Sequence, residues 1–314
     1  MKSYQGERLM TAYDHIKSNN IKTAILVAAF PLLFVAIVFL FVWMVAPLPR
    51  AFETTMMAGI PTAVACLVWL LISWAFGDSM MLSYAGAHEI RTDEKEYREI
   101  FRSVENVALA AGLPTPRVYI IEDDSLNAFA TGRNPNDASV ALTRGIIKKL
   151  SKLELEGVIA HEMAHIGNRD IRLDMLLVTG VGVTVFAADI ILRAALHSGN
   201  RGSDDKNNAG AILLMVWLAF MVFNLIISPL LRMAISRKRE FAADATGAQI
   251  TRNPKGLASA LRKISADSRV ECLDKVKSMS AVCIANPAAP KEFVGELFAT
   301  HPPVDERIRR LENM

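Results

Sequence analysis

The chain has 314 residues, 52% of them hydrophobic, and a mean hydropathy of +0.27, which is high for a water-soluble protein. A net charge of only +3 excludes the basic field of a nucleic-acid binder, so no nucleic-acid partner is expected. Cys66, Cys272 and Cys283 have no C-x-x-C spacing and make no disulfide framework, so they read as reduced thiols.

Four apolar runs account for the hydropathy. Residues 1–22 form a polar, basic N-terminal segment. No charged residue lies between Lys22 and Arg50, between Glu53 and Asp78, or between Lys206 and Arg232. Each run exceeds the roughly 20 residues that cross a bilayer, so transmembrane helices are expected at 23–49, 54–77 and 207–231. The first starts too far in for a removable leader, and Pro47 after Ala46 spoils a cleavage site, so it reads as an anchor. Pro31 and Pro61 are candidate kinks, and Asn224 is placed to bond across helices. Met56, Met57, Met80 and Met81 read as packing, because a copper site needs converging thioethers.

The remaining run, 175–196, is uncharged from Met175 to Ala188 and then carries Asp189 and Arg193 at i, i+4, a spacing that suits an ion pair. It is expected as a further span, with Arg193 reaching the interface; a buried helix of the soluble part is the competing reading. Basic residues cluster before the first span (Lys2, Arg8, Lys17, Lys22), after the second (Arg91, Lys95, Arg98, Arg102), before the third (Arg169, Arg172) and after the last (Arg232, Arg237, Lys238, Arg239). Positive charge stays on the cytosolic side, which puts both termini and the soluble segments, 78–174 and 232–314, in the cytosol.

In the first soluble segment, "PRVYIIE", "NAFATG" and "ASVALT" read as short strands, with "RNPND" supplying a turn between the last two. A helix follows. Ser151 with Glu154 forms a capping box, apolar residues recur at Leu155, Val158, Ile159, Met163 and Ile166, and Gly167-Asn168 is a stop. This helix carries "HEMAH". His161 and His165, at i and i+4, share one face about 5–6 Å apart, close enough for one ion, with Glu162 beside them to handle protons. A metal needs a third ligand. "SRKREFAADATGA", just past the last span, has helical composition and offers Glu240 as that ligand and Asp244, one turn on, as acceptor for the free N–H of a ligand imidazole. The rival account of Glu240 is a salt-bridged helix face beside Arg237, Lys238 and Arg239. His301, in "ATHPPVDERI", is a candidate for stabilising an oxyanion or for capping the open metal position. The rival account is a helix start, with Thr300 as cap and Pro302 in the first turn. His15, His88 and His197 show no partner pattern.

Together "NAFATG", "HEMAH", "EFAAD", "HPP" followed by Arg307-Ile308, and two spans between the zinc ligands resemble the HtpX family, membrane-bound zinc metalloproteases of the gluzincin clan. The resemblance covers residues 20–314 and implies an α+β, mainly helical integral membrane protein. Four transmembrane helices and a cytosolic gluzincin-type zinc protease domain with a small β-sheet are expected. It implies one Zn2+ per chain on His161, His165 and Glu240, Glu162 as catalytic base, Asp244 behind the ligands, and Asn127, Ala128, Phe129 and Ala130 as the edge strand that aligns substrate. It also implies the bacterial inner membrane as location, unfolded or damaged membrane proteins as substrates, and a role in heat-shock quality control. A membrane scaffold with an inactive metal site is the rival class, against which the complete set of base and ligands argues. A transporter is another, against which the scarcity of charge in the runs argues.

Overall fold

The computed structural model describes residues 12–45, 51–91, 94–198, 210, 213–223, 225, 237–266 and 302–314; His301, Thr300, Asn224, Cys272 and Cys283 lie outside them. The fold is mainly helical with one small sheet. In chain order, α1 is Ala12–Val45, α2 Ala51–Tyr84, β1 Ala87–Glu89, α3 Arg98–Ala111, β2 Arg117–Ile121, β3 Ala128–Gly132, β4 Ala138–Thr143, α4 Arg144–Lys149, α5 Lys152–Gly167 and α6 Asp170–Ser198. Then come α7, Leu213–Phe223, α8, Arg237–Thr251, α9, Pro254–Ala266, and α10, Val304–Glu312.

Local chemistry explains most boundaries. The Ser151 hydroxyl accepts from the Glu154 N–H while the Glu154 side chain accepts from the Ser151 N–H, so α5 starts with both orphan donors satisfied. It ends at Gly167, with Asn168 as cap. Gly112, at φ 67, closes α3 in the left-handed region that glycine enters without penalty. "RNPND" folds into one 3-10 turn, Pro135–Asp137, with the Asn134 side chain accepting from Asn136 N–H. The last helix starts at Val304 with Pro303 as cap residue, so Pro302 is not in its first turn as the rival account had it; Pro302 precedes a proline, which pushes it out of the helical region.

The sheet order is β1-β2-β4-β3; β2 and β4 run parallel, the outer pairs antiparallel. Side chains alternate across it with period two. Val118, Ile120, Ala128, Ala130, Val140 and Leu142 face a core shared with α3, α5, α9 and α10. Ile121, Phe129 and Ala141 face the other way, onto Met81 and Leu82 of α2 and Met175, Leu176 and Val178 of α6. β3 is thus an edge strand lying between the domain core and the ends of the long helices.

Lys17–Leu40 within α1 and Gly59–Tyr84 within α2 are long and apolar enough to cross a membrane. Both helices continue through their prolines, Pro31 and Pro61. α6 covers the third apolar run. Its Asp189 accepts from Arg193 Nε at 2.8 Å. α1, α6 and α7 meet around Phe34, whose ring stands edge-on to Phe220 and Phe223 at 4.4 and 4.9 Å between centroids. Met57 and Met81 are 24 positions apart on one helix, roughly 36 Å at 1.5 Å per residue, so the methionines of α2 make no common site. Met81 is instead buried, with the Thr131 hydroxyl on its sulfur at 3.2 Å.

Candidate metal centre

His161 and Glu162 are buried near the middle of α5, and His165 is nearly so. α8 crosses this helix at Gly247, where an added Cβ would lie 3.0 Å from His161 N and 3.2 Å from Ala160 C. That close approach brings Glu240 and Asp244, earlier on α8, onto the histidine face. His161 Nε2 and His165 Nε2 are 3.2 Å apart; Glu240 Oε2 is 3.8 Å from the first and Glu240 Oε1 3.5 Å from the second. A tetrahedral zinc with bonds of about 2.0–2.1 Å holds its donors about 3.3 Å apart. The two nitrogens and a Glu240 oxygen, all within 4.8 Å of one another, are therefore grouped as the donors of one ion would be, slightly wider than ideal.

The far nitrogens decide the charge. His165 Nδ1 is 2.8 Å from Asp170 Oδ2, and His161 Nδ1 is 3.0 Å from Asp244 Oδ1, bent off the ideal N–H direction. With each Nδ1 beside a carboxylate, both Nε2 atoms and the Glu240 carboxylate face one spot. Three acceptors that close repel unless a proton or a cation lies between them. Burial alone would lower the pKa of His165, but Asp170 and Glu240 outweigh it and raise it to about 9. That is the same electron-rich pocket seen by a proton, and a metal competes for that place. The donor set and its spacing fit zinc.

Each imidazole–carboxylate pair ends on an arginine. Arg307, on α10, donates from Nε and Nη2 to Asp244 at 2.8 and 2.7 Å; it also lies 3.4 Å from His161 Nε2 and 3.5 Å from Glu240 Oε2. Burial would raise Asp244, but the Arg307 charge holds it at about 2. Arg239, on α8, lies 3.3 Å from Asp170 Oδ1 and 3.0 Å from Asp174 Oδ1. So the arginine next to Glu240 in sequence bridges two aspartates of α6, unlike the simple charged face that was the rival account of Glu240.

Glu162 is pushed up to about 7, by burial first and by the Glu240 charge next, against His165 and the Ala130 backbone N–H, which lower it. That N–H places the Ala130 edge of β3 against Glu162. Asn127 precedes β3, its N–H donating to Thr143 Oγ1 and its side chain accepting from Ala128 N–H. The structure thus brings His161, Glu162, His165, Glu240, Asp244 and Ala130 together; His301 lies outside the described residues. His88 is 3.8 Å from Glu122, and His197 Nδ1 is 2.7 Å from Arg193 O. Sequence reasoning assigned no role to Asp170, Arg239 or Arg307. The "NRD" after "HEMAH" was the available signal for the first.

A model of peptidase family M48 matches residues 94–314. Proteins named protease HtpX homolog are similar over nearly full length. That of Lactobacillus helveticus is 41% identical over 308 residues (96% of this chain, 99% of that one). That of Thermoanaerobacter pseudethanolicus is 39% identical over 306 residues (97% and 98%). That of Bacteroides fragilis is 37% identical over 311 residues (94% and 96%). Among solved structures, the crystal structure of S. mikatae Ste24p aligns with 96% of this chain at 15% identity and a TM-score of 0.47, and the chain spans 66% of its length.

Proposed function

The chain belongs to peptidase family M48, a metalloprotease like its HtpX homologs, and from that premise we propose a membrane-embedded zinc endopeptidase that cleaves misfolded or damaged membrane proteins. The observation that carries the reading is the convergence of His161 Nε2, His165 Nε2 and a Glu240 oxygen within 4.8 Å of one another. His161, His165 and Glu240 would hold the ion; Asp244 and Asp170 orient the imidazoles through Nδ1. A zinc held there would supply a water of lowered pKa and a Lewis acid for the scissile carbonyl. Glu162 takes the water's proton and delivers it to the leaving nitrogen. Its raised pKa, about 7, suits a group that must both take and give a proton near neutrality, although a bound cation pulls the value down.

Substrate lies extended along β3, over Asn127, Ala128, Phe129 and Ala130, paired through its backbone. Backbone pairing tolerates many sequences, which suits unfolded clients in heat-shock quality control. Two stretches of membrane length and the charge bias of the loops support a multi-pass protein of the bacterial inner membrane, with four spans and with both termini and the site in the cytosol. The bilayer and its unfolded proteins are then the partners.

The test is Glu162→Gln in the full-length protein in liposomes. It should keep one zinc per chain and lose about 10²–10⁴-fold of casein cleavage. A variant with more than about a tenth of wild-type activity contradicts the general-base role.

A further inference from the structure

We propose that Asn19 is a positioning residue of the metal centre, through which the first membrane-length helix holds His165 in place; this rests on the metal reading above. Asn19 is buried on α1, beside the break between α5 and α6. Its Nδ2 donates 2.5 Å to Asp170 Oδ1 and 3.0 Å to the carbonyl of Asn168, the residue that caps α5. The Thr23 hydroxyl, one turn on, donates 2.9 Å to the Asn19 carbonyl and steadies that part of α1.

The residue type matters. A primary amide carries two N–H groups on one nitrogen, diverging enough to reach a helix-end carbonyl and a carboxylate at once. Asp, Leu and Ala supply neither. Asp170 then has both oxygens committed, Oδ2 to His165 Nδ1 and Oδ1 to Asn19. The other partner of Oδ1, Arg239, sits farther off at 3.3 Å and also serves Asp174. Removing the amide leaves a buried carboxylate free to rotate toward Arg239 and away from the imidazole. His165 then loses the contact that fixes its tautomer and aims Nε2 at the ion. Since α1 carries the apolar stretch Lys17–Leu40, metal retention becomes conditional on the seating of that helix, two hydrogen bonds away.

The experiment uses the full-length protein in lipid nanodiscs. Zinc affinity is read by competition with a chromophoric chelator, and ligand geometry by the visible absorption of the cobalt-substituted protein. Asn19→Asp keeps the shape and removes both donors; Asn19→Leu keeps the bulk; Thr23→Val disturbs the same stretch of α1 without touching Asp170. Zinc affinity should fall about 10–100-fold in both Asn19 variants, with an altered cobalt spectrum, and Thr23→Val should match wild type in both readings. Asn19 variants with zinc affinity within about twofold of wild type and an unchanged cobalt spectrum, whatever their melting temperature, overturn the proposal, because Asn19 then only docks α1. If Asn19→Leu does not fold, the one-atom change to Asp decides on the same two readings. A wild-type protein that binds neither zinc nor cobalt overturns the metal reading itself, a distinguishable result.

Discussion

The pair Arg307–Asp244 ties the C-terminal helix to the histidine face, and breaking it has a definable cost. Arg307 is fully buried at 0% exposure and Asp244 at 2%. Two hydrogen bonds of 2.8 and 2.7 Å join them. Arg307→Met leaves the Asp244 carboxylate with only the bent contact to His161. Asp244→Leu takes two hydrogen bonds from the buried guanidinium, which also faces His161 Nε2 at 3.4 Å and Glu240 Oε2 at 3.5 Å. Removing one partner of a buried pair costs about 3–5 kcal/mol, because the other charge stays desolvated. Independent effects would therefore add to about 6–10 kcal/mol. The double variant removes both charges of the pair together, so what it loses is packing and the Arg307 contact with Glu240 at 3.5 Å. It should be no less stable than either single variant. Equilibrium unfolding of the metal-stripped protein in detergent micelles, followed by circular dichroism, measures all three. A double variant whose loss equals the sum of the singles within about 0.5 kcal/mol refutes the coupling.

Two further outcomes are expected. Gly247→Val puts a branched Cβ against the His161 and Ala160 backbone, which cannot turn aside, so α8 must back away; stability should fall by about 1–3 kcal/mol and zinc affinity with it, and unchanged values for both contradict the close crossing. Glu154 is held at about 2 because its bonds with Lys263, Ser259 and Ser151 outweigh burial. A carboxylate with a depressed folded pKa stabilises fully above its unfolded value, about 4.3, and loses that contribution as pH falls toward 2. At about 1.4 kcal/mol per pKa unit, Glu154→Gln should cost at most about 3 kcal/mol at pH 7, and the gap in melting temperature should narrow below about pH 4; a gap independent of pH removes the ion pair as its source.

What the sequence made legible was local. The capping box at Ser151, the histidine face of α5, the three strands and the turn at Pro135 all follow from spacing or turn chemistry within a few residues. Glu240 was reachable because zinc chemistry demands a third ligand and few acids stand in a helical context near the last span. Asp170 escaped because no helical period links it to His165: the chain breaks at Arg169, which takes φ 59, and α6 starts afresh. β1 escaped because a three-residue strand, "AHE", exists only through pairing with β2. Arg307 was visible as part of a motif but not as a partner, because 63 positions separate it from Asp244.

The two imidazoles have parallel supports built from different elements. From His161 the chain of contacts runs to Asp244 of α8 and Arg307 of α10; from His165 it runs to Asp170 of α6 and Arg239 of α8. The charges do not balance. Two guanidiniums face the carboxylates of Glu162, Asp170, Asp174, Glu240 and Asp244, all within one largely buried cluster. That excess accounts for the direction of three shifts: Glu162 and Asp174 are raised, each with a neighbouring carboxylate adding to burial, and His165 is raised against burial by the acids around it. Arg307 and Arg239 sit against the carboxylates behind the histidines, and Arg307 also reaches Glu240 Oε2 at 3.5 Å, so five carboxylates share two guanidiniums around the place where the Nε2 atoms converge. A divalent cation placed there offsets part of that excess of negative charge. Metal binding and the packing of α5, α6, α8 and α10 are therefore one equilibrium, and a chelator should loosen the contact of α10 with α8 as well as stop catalysis.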